Sequence, residues 1–158
     1  MKLSSSRTAT LVLAVMVILA ATAFSQSKNC TPIGGAILTD LGLPDANSTM
    51  GYATGDFKGA VGVTILSTSV TGNTLVLHVQ HHWVSESGDI ISLDPATATT
   101  TQVAPGLYAI VTYPVHFNGG TGKFAGASGD GAAIGEADLA NGRLALRYYG
   151  TICYARGD

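Results

Sequence analysis

The sequence predicts an all-β protein, a single antiparallel β-barrel of eight strands. Short segments rich in Val, Ile, Thr and Tyr alternate with Gly, Asn and Asp, which is the pattern of strands joined by turns. No long window repeats apolar residues at the spacing of a helix face. Closure into a barrel would remove the exposed edges that an open sheet must protect. A two-sheet β-sandwich meets most of the same constraints and stays an alternative.

The first 25 residues are predicted to be a secretory signal-peptide helix that precedes the fold. Lys2 and Arg7 form a basic start, and the uncharged, almost wholly apolar run 11–24 follows them. These fourteen residues are fewer than the roughly twenty that a membrane span needs. We therefore expect a secreted or periplasmic protein with one β-barrel domain, residues 26–158, and no membrane attachment after cleavage.

The charge of the exported part argues against nucleic acid as a partner. Without Lys2 and Arg7, six Lys and Arg face ten Asp and Glu, which leaves a net charge of −4. The chain has no basic patch and no arginine-rich helix, and proteins that bind nucleic acid rely on such patches to contact phosphates.

Eight strands follow from the alternation of apolar runs and turn residues. They are predicted near residues 32–39, 49–54, 59–70, 74–85, 89–100, 107–117, 131–139 and 143–154. The inward face of segment 107–117 stays undecided, because Val111, Tyr113 and Val115 compete with Ile110 and Thr112 for it.

The last two strands form a predicted hairpin around Asn141-Gly142, a signal for a two-residue type I′ turn. That turn would place Ala137 opposite Leu146 on an apolar face. It would also place Glu136 opposite Arg147 as an ion pair on the outer face.

A second hairpin is predicted to turn at Gly72-Asn73, with Val70 opposite Leu75 and Gly62 opposite Trp83. In the predicted strand 74–85, which follows this turn, side chains point alternately to the two faces of the sheet. The face predicted to point inward consists of Leu75, Leu77, Val79, His81 and Trp83.

Cys30 and Cys153 are predicted to form a disulfide, because an exported protein folds in an oxidising compartment. Their Cα atoms must then lie within about 7 Å. The bond would make the first and last strands neighbours and close the barrel.

The segment 118–129, Asn-Gly-Gly-Thr-Gly-Lys-Phe-Ala-Gly-Ala-Ser-Gly, is predicted to reverse the chain at one end of the barrel. It is not a phosphate-binding loop, because Phe117 and Phe124 stand where that motif needs Gly and Ser or Thr. Phe124 is expected to plug the apolar interior from this end.

The same segment resembles the glycine-rich motif of plant dirigent proteins and of the barrel superfamily that includes allene oxide cyclase. Residues 135–139 and 147–153 are similar to small exported bacterial proteins placed in that superfamily. The resemblance covers residues 70–154. It implies an eight-stranded barrel, a homo-oligomer that is trimeric among plant members, and an interior able to hold a small apolar ligand. No catalytic residue of the plant enzymes is matched here.

His81, Trp83 and Tyr148 are the predicted ligand-binding residues, because they lie on faces taken as inward near one barrel mouth. Core filling is the alternative for the same side chains. No metal site is predicted, because strand geometry separates His81 from His78 and His82, and those two lie about 13 Å apart. No catalytic residue and no cofactor are predicted.

The sequence therefore favours an exported, non-catalytic barrel that binds a small hydrophobic ligand. One alternative is a dirigent- or cyclase-like enzyme that steers a reactive small molecule. It requires hydrogen-bonding or charged groups in contact with a cavity. Another is an oligomeric adhesion or structural protein whose outer Tyr149, His78 and His82 are buried between copies.

Overall fold

The structure is a computed structural model that describes residues 29–155. The predicted signal peptide, residues 1–25, lies outside the described residues. Ten strands make up the fold: β1 (Asn29–Leu41), β2 (Ser48–Ala53), β3 (Gly59–Thr71), β4 (Thr74–Ser85), β5 (Ile90–Leu93), β6 (Ala96–Ala104), β7 (Leu107–Thr112), β8 (Pro114–Gly120), β9 (Ser128–Asp138) and β10 (Arg143–Tyr154). Two 3₁₀ helices of one turn each, Gly55–Phe57 and Gly122–Phe124, connect β2 to β3 and β8 to β9.

These strands form a closed antiparallel barrel with eight strand positions. β5 and β6 both pair with β4 and together occupy one position, and β7 and β8 both pair with β9 and occupy another. β10 pairs with both β9 and β1, which closes the ring. The predicted barrel is confirmed. The sandwich alternative is wrong, because each strand position has a hydrogen-bonded neighbour on both sides.

The disulfide lies on the closing seam between β1 and β10. Cys30 stands directly opposite Cys153, with their Cα atoms 3.9 Å apart and 123 residues between them in sequence. Closing so long a loop restricts the unfolded chain, with a stabilisation of about 5 kcal/mol at the upper end. The predicted pairing is confirmed.

The β9–β10 hairpin differs from its predicted register by two residues. Ala137 lies opposite Leu144 and Glu136 opposite Ala145, so the expected ion pair between Glu136 and Arg147 is wrong. A shift of two residues leaves each side chain on the same face, because strand faces alternate with a period of two. The predicted apolar inner face therefore survives the change.

The physical cause is a longer turn than the sequence signal indicates. The strands are joined by four residues, 139–142, and the carboxylate of Asp138 holds them together. It accepts hydrogen bonds from the Asn141 backbone amide at 3.1 Å and from the Asn141 side-chain amide at 2.7 Å. These hydrogen bonds lower the pKa of the Asp138 carboxyl. Gly142 has φ +67°, but Asn141 does not have positive φ, so the type I′ turn is excluded.

The β3–β4 hairpin turns at Gly72-Asn73 as predicted, with Val70 opposite Leu75. The ladder then shifts by one residue at a β-bulge at Leu66, whose side chain is 52% exposed. As a result Trp83 lies opposite Val61. The predicted pairing of Trp83 with Gly62 is wrong.

One end of the barrel is closed by two similar turns, which we call the plug. Thr54-Gly-Asp-Phe57 and Thr121-Gly-Lys-Phe124 share a sequence pattern, and each forms one 3₁₀ turn preceded by an extended Thr. Phe57 is 1% exposed and Phe124 is 0% exposed, and their rings meet edge to face with centroids 5.6 Å apart. The predicted plugging role of Phe124 is confirmed, and Phe57 is its counterpart from the β2–β3 connection.

Candidate functional site in the barrel interior

Two apolar spaces lie inside the barrel. The inner cavity has a volume of about 60 Å³ and lies next to the plug. Its lining includes the rings of Trp83, Phe117 and Tyr148, each of which contacts Phe57 at centroid distances of 5.4–5.9 Å. It also includes His81 and Tyr113.

The second space, the mouth pocket, has a volume of about 250 Å³ and lies at the opposite end of the barrel. Leu41, Asn47 and Leu139, from the ends of strands and their connections, form its rim. The two spaces adjoin each other, because both are lined by Thr49, Val63, Tyr113 and Leu144.

His81 and Tyr113 form the main polar feature of this interior. His81 points inward from β4, and the Tyr113 hydroxyl lies 2.8 Å from its Nε2 atom. The two rings are stacked with centroids 5.5 Å apart. The Nδ1 atom of His81 is inaccessible to solvent, and no described group forms a hydrogen bond with it.

Burial sets the charge state of this pair. It lowers the pKa of His81 to about 4, and the neighbouring His82 acts in the same direction. Burial raises the pKa of the Tyr113 hydroxyl well above its usual range. Both side chains are therefore neutral at neutral pH, and the interior carries a hydrogen-bonding pair without net charge.

Trp83 and Tyr148 have their polar groups engaged by the plug. The Trp83 indole Nε1–H donates to the Phe57 carbonyl at 2.9 Å. The Tyr148 hydroxyl donates to the Thr54 carbonyl at 2.8 Å and accepts from the Phe57 amide at 2.9 Å. Both residues thus present ring surface to the inner cavity while their heteroatoms fix the plug in place.

The structure brings the three predicted ligand-binding residues, His81, Trp83 and Tyr148, to the same inner cavity. Their role in ligand binding stays a prediction. Tyr113 was missed because the inward alternation changes phase at this residue, between β7 and β8. Ile110 is buried before the break, Phe117 after it, and Tyr113 itself is 7% exposed. Neither competing pattern holds throughout, because Val111 and Thr112 are both exposed, whereas Ile110, Tyr113 and Val115 face inward.

The other histidines lie on the outer surface. His82 contacts Thr64 at 2.9 Å, and His116 contacts the Asp130 carboxylate across β8 and β9 at 2.8 Å. His78 contacts Thr97 at 3.3 Å. Within residues 29–155, no three His, Cys, Asp or Glu side chains are grouped so that they could hold a metal ion.

The outer surface also carries an apolar row that crosses four strands. Val84, Ala60, Tyr52 and Leu38 are successive cross-strand neighbours, and all four are exposed. Association with further copies of the chain, implied by the resemblance, stays a prediction.

Comparisons with models of protein families, with curated proteins and with solved structures found no match for this chain. The resemblance to the allene oxide cyclase and dirigent superfamily stays a prediction that depends on the residues quoted for it. No helix within the described part of the chain is long and apolar enough to cross a membrane.

Proposed function

We propose that this protein binds a small, uncharged and mainly apolar molecule inside its barrel. The observation that supports this most directly is the pair of adjoining spaces inside the barrel, of about 60 and 250 Å³, whose walls are mainly apolar. A concave space lined by hydrophobic and aromatic side chains with a few polar groups is typical of a small-molecule site.

The available volume limits the size of the ligand. Small-molecule pockets typically enclose about 300–1,000 Å³. The inner cavity alone falls far below this range, but together with the mouth pocket it reaches the lower limit. A ligand would therefore enter from the mouth, occupy the mouth pocket, and extend one end past Tyr113 towards His81.

The lining determines the charge of the ligand. No Lys, Arg, Asp or Glu side chain lines either space. A buried charge without a partner is strongly unfavourable in such surroundings. A molecule whose charged group lay inside the barrel is disfavoured on this ground, and a neutral molecule fits.

Native mass spectrometry of the purified mature protein tests the proposal. We expect a retained small molecule that is lost on denaturation. Val63→Phe, which places a ring in both spaces, should abolish the adduct. Val84→Phe on the outer face of β4 is the matched control and should retain it. An adduct of equal abundance in Val63→Phe and wild type would contradict a site in the barrel.

A second candidate is the dirigent- or cyclase-like steering of a reactive small molecule. The observation that favours it is the presence of a hydrogen-bonded pair, His81 and Tyr113, among the residues that line the inner cavity. The molecules recovered from wild type and from Tyr113→Phe distinguish the two functions. A carrier would hold the same molecule in both proteins. An enzyme would hold product in wild type and unconverted precursor in the variant.

The proposal includes secretion or export to the periplasm. The disulfide of the barrel supports it, because disulfides persist in oxidising compartments. The mass of the chain isolated from the exported fraction tests it. A chain that begins near residue 26 is expected, and a full-length chain would contradict cleavage.

A further inference from the structure

The chain contains two Asn-Gly pairs, and the fold places them in different surroundings. Asn118-Gly119 lies within β8, where Gly119 is buried and stands opposite Ser92 of β5. Asn141-Gly142 lies in the four-residue turn between β9 and β10, and Asn141 is exposed. Asparagine is a chemically labile residue. A glycine after it has no Cβ atom to obstruct attack of the glycine amide nitrogen on the asparagine side chain.

The backbone amide of Gly142 is available for this attack. No described group accepts a hydrogen bond from it, whereas the carbonyl of the same residue accepts from the Leu41 amide at 2.7 Å. Gly142 is only half-buried. Hydroxide can therefore reach the amide proton while the barrel stays folded.

We propose that Asn141 is a site of spontaneous deamidation in the folded protein and that Asn118 is not. The Gly142 amide nitrogen loses its proton to hydroxide and attacks the Asn141 Cγ atom. The new N–C bond closes a succinimide ring, and the side-chain nitrogen leaves as ammonia. One water molecule then opens the ring at either carbonyl, which gives aspartate or isoaspartate. The reaction needs water alone, and the site is independent of the proposed ligand in the barrel.

The strand conformation of β8 protects the other pair. Ring closure requires the backbone at asparagine to fold back on its own side chain, and pairing with a neighbouring strand holds it extended. The buried Gly119 amide meets hydroxide only in molecules in which the strand opens locally. Side-chain hydrogen bonds do not distinguish the pairs, because Asn118 donates to Asp94 and Asn141 donates to Asp138.

Deamidation at this position would alter the rim of the barrel mouth. The Asn141 side-chain amide donates to the Asp138 carboxylate at 2.7 Å, and its replacement by a carboxylate turns attraction into repulsion. Isoaspartate also adds one atom to the main chain before Gly142, whose carbonyl holds Leu41 on the rim. The turn should therefore loosen its contact with β1 as the protein ages.

Peptide mapping by mass spectrometry, after the mature folded protein has stood at mildly alkaline pH, tests the proposal. Each deamidation raises the mass of a peptide by about 1 Da. We expect residue 141 to be modified at least about tenfold faster than residue 118, since the buried pair reacts only after local opening. In the reduced chain unfolded by denaturant, the two pairs should react at similar rates.

Two variants assign the reaction to the Asn141-Gly142 pair. In Gly142→Ala the added methyl group hinders ring closure, and in Asn141→Gln the longer side chain would have to form a less favourable six-membered ring. Both should stay unmodified at residue 141 while wild type reacts. Gly72→Ala is the matched control, because Gly72 also has positive φ in an exposed hairpin turn, and it should deamidate like wild type.

Two results would overturn the proposal. One is equal modification of residues 118 and 141 in the folded protein, which would show that the fold does not select between the pairs. The other is a folded wild type that stays unmodified at residue 141 while its unfolded chain reacts there. Neither result would bear on ligand binding in the barrel.

Discussion

At the scale of single residues, the burial of His81 links the stability of the barrel to pH. The pKa of the ring falls from 6.5 to about 4 in the folded protein because burial disfavours the charged form. Between these values the unfolded chain binds a proton that the folded chain does not. The free energy of unfolding should therefore decrease as the pH falls from 6.5 to 4. Below pH 4, His81 should cause no further decrease.

The size of this effect gives a prediction for His81→Phe. One unit of pKa corresponds to about 1.4 kcal/mol. Because of His81, the free energy of unfolding of wild type should therefore fall by about 3 kcal/mol between pH 7 and pH 4. Denaturant unfolding of both proteins at the two pH values isolates this loss, because carboxylates such as Asp138 contribute equally to both. The same pH dependence in wild type and His81→Phe would contradict a buried neutral ring.

The sequence could locate three of the cavity residues because simple alternation holds along β4 and β10. His81, Trp83 and Tyr148 lie on the inward faces that this alternation indicates. Tyr113 could not be assigned, because Pro114 follows it and interrupts the strand. Phe57 was missed as a plug residue for another reason. Its turn shares only Thr, Gly and Phe with the turn at 121–124, too short a match to find from sequence, and the burial of both Phe rings shows that the two turns correspond.

At the scale of elements, the glycines of the plug connection permit contacts that other residues would block. Gly120 has φ +149°, and a Cβ atom there would overlap the carbonyl oxygen of Ile90 on β5. Gly72 also has positive φ, +60°, but a Cβ atom there would meet open space. A side chain at position 72 would therefore meet only the cost of the backbone conformation. A side chain at position 120 would also meet the backbone of a neighbouring strand.

We therefore expect Gly120→Ala to destabilise the barrel by several kcal/mol and Gly72→Ala by about 1 kcal/mol. The first change forces β5 and β8 apart next to Phe124, whereas the second strains an exposed hairpin turn alone. Thermal unfolding of both variants measures the difference. Equal losses would show that the conformation of the glycine, and not the strand contact, is what position 120 requires.

The sequence patterns predicted turn lengths and bulges less accurately than they predicted strands. Asn141-Gly142 indicated a turn at the right place, but its length depends on hydrogen bonds to Asp138 that a dipeptide signal does not include. The bulge at Leu66 has no glycine or proline to mark it. Six of the eight predicted strands match single strands of the structure, because alternation and turn residues are local signals. The predictions of one strand over 89–100 and one over 107–117 are wrong, because each segment is divided into two strands. Register depends on which cross-strand contacts the closed barrel allows.

At the scale of the whole molecule, the disulfide reinforces a seam that is also closed by a long ladder. β1 and β10 pair over twelve residues, from Asn29 to Asp40, and Cys30 lies almost at the plug end of that ladder. The bond acts mainly on the unfolded chain, where it restricts a loop of more than a hundred residues. Closure of the folded barrel should therefore not depend on it.

The double variant Cys30→Ala, Cys153→Ala should fold into the same barrel with a free energy of unfolding lower by about 3–5 kcal/mol. The inner cavity should be unchanged, because neither cysteine lines it. Denaturant unfolding measures the loss, and the hydrogen bond between His81 and Tyr113, observed by NMR, reports whether the interior is retained. A variant that loses this hydrogen bond while still folded would show that the disulfide also shapes the native barrel.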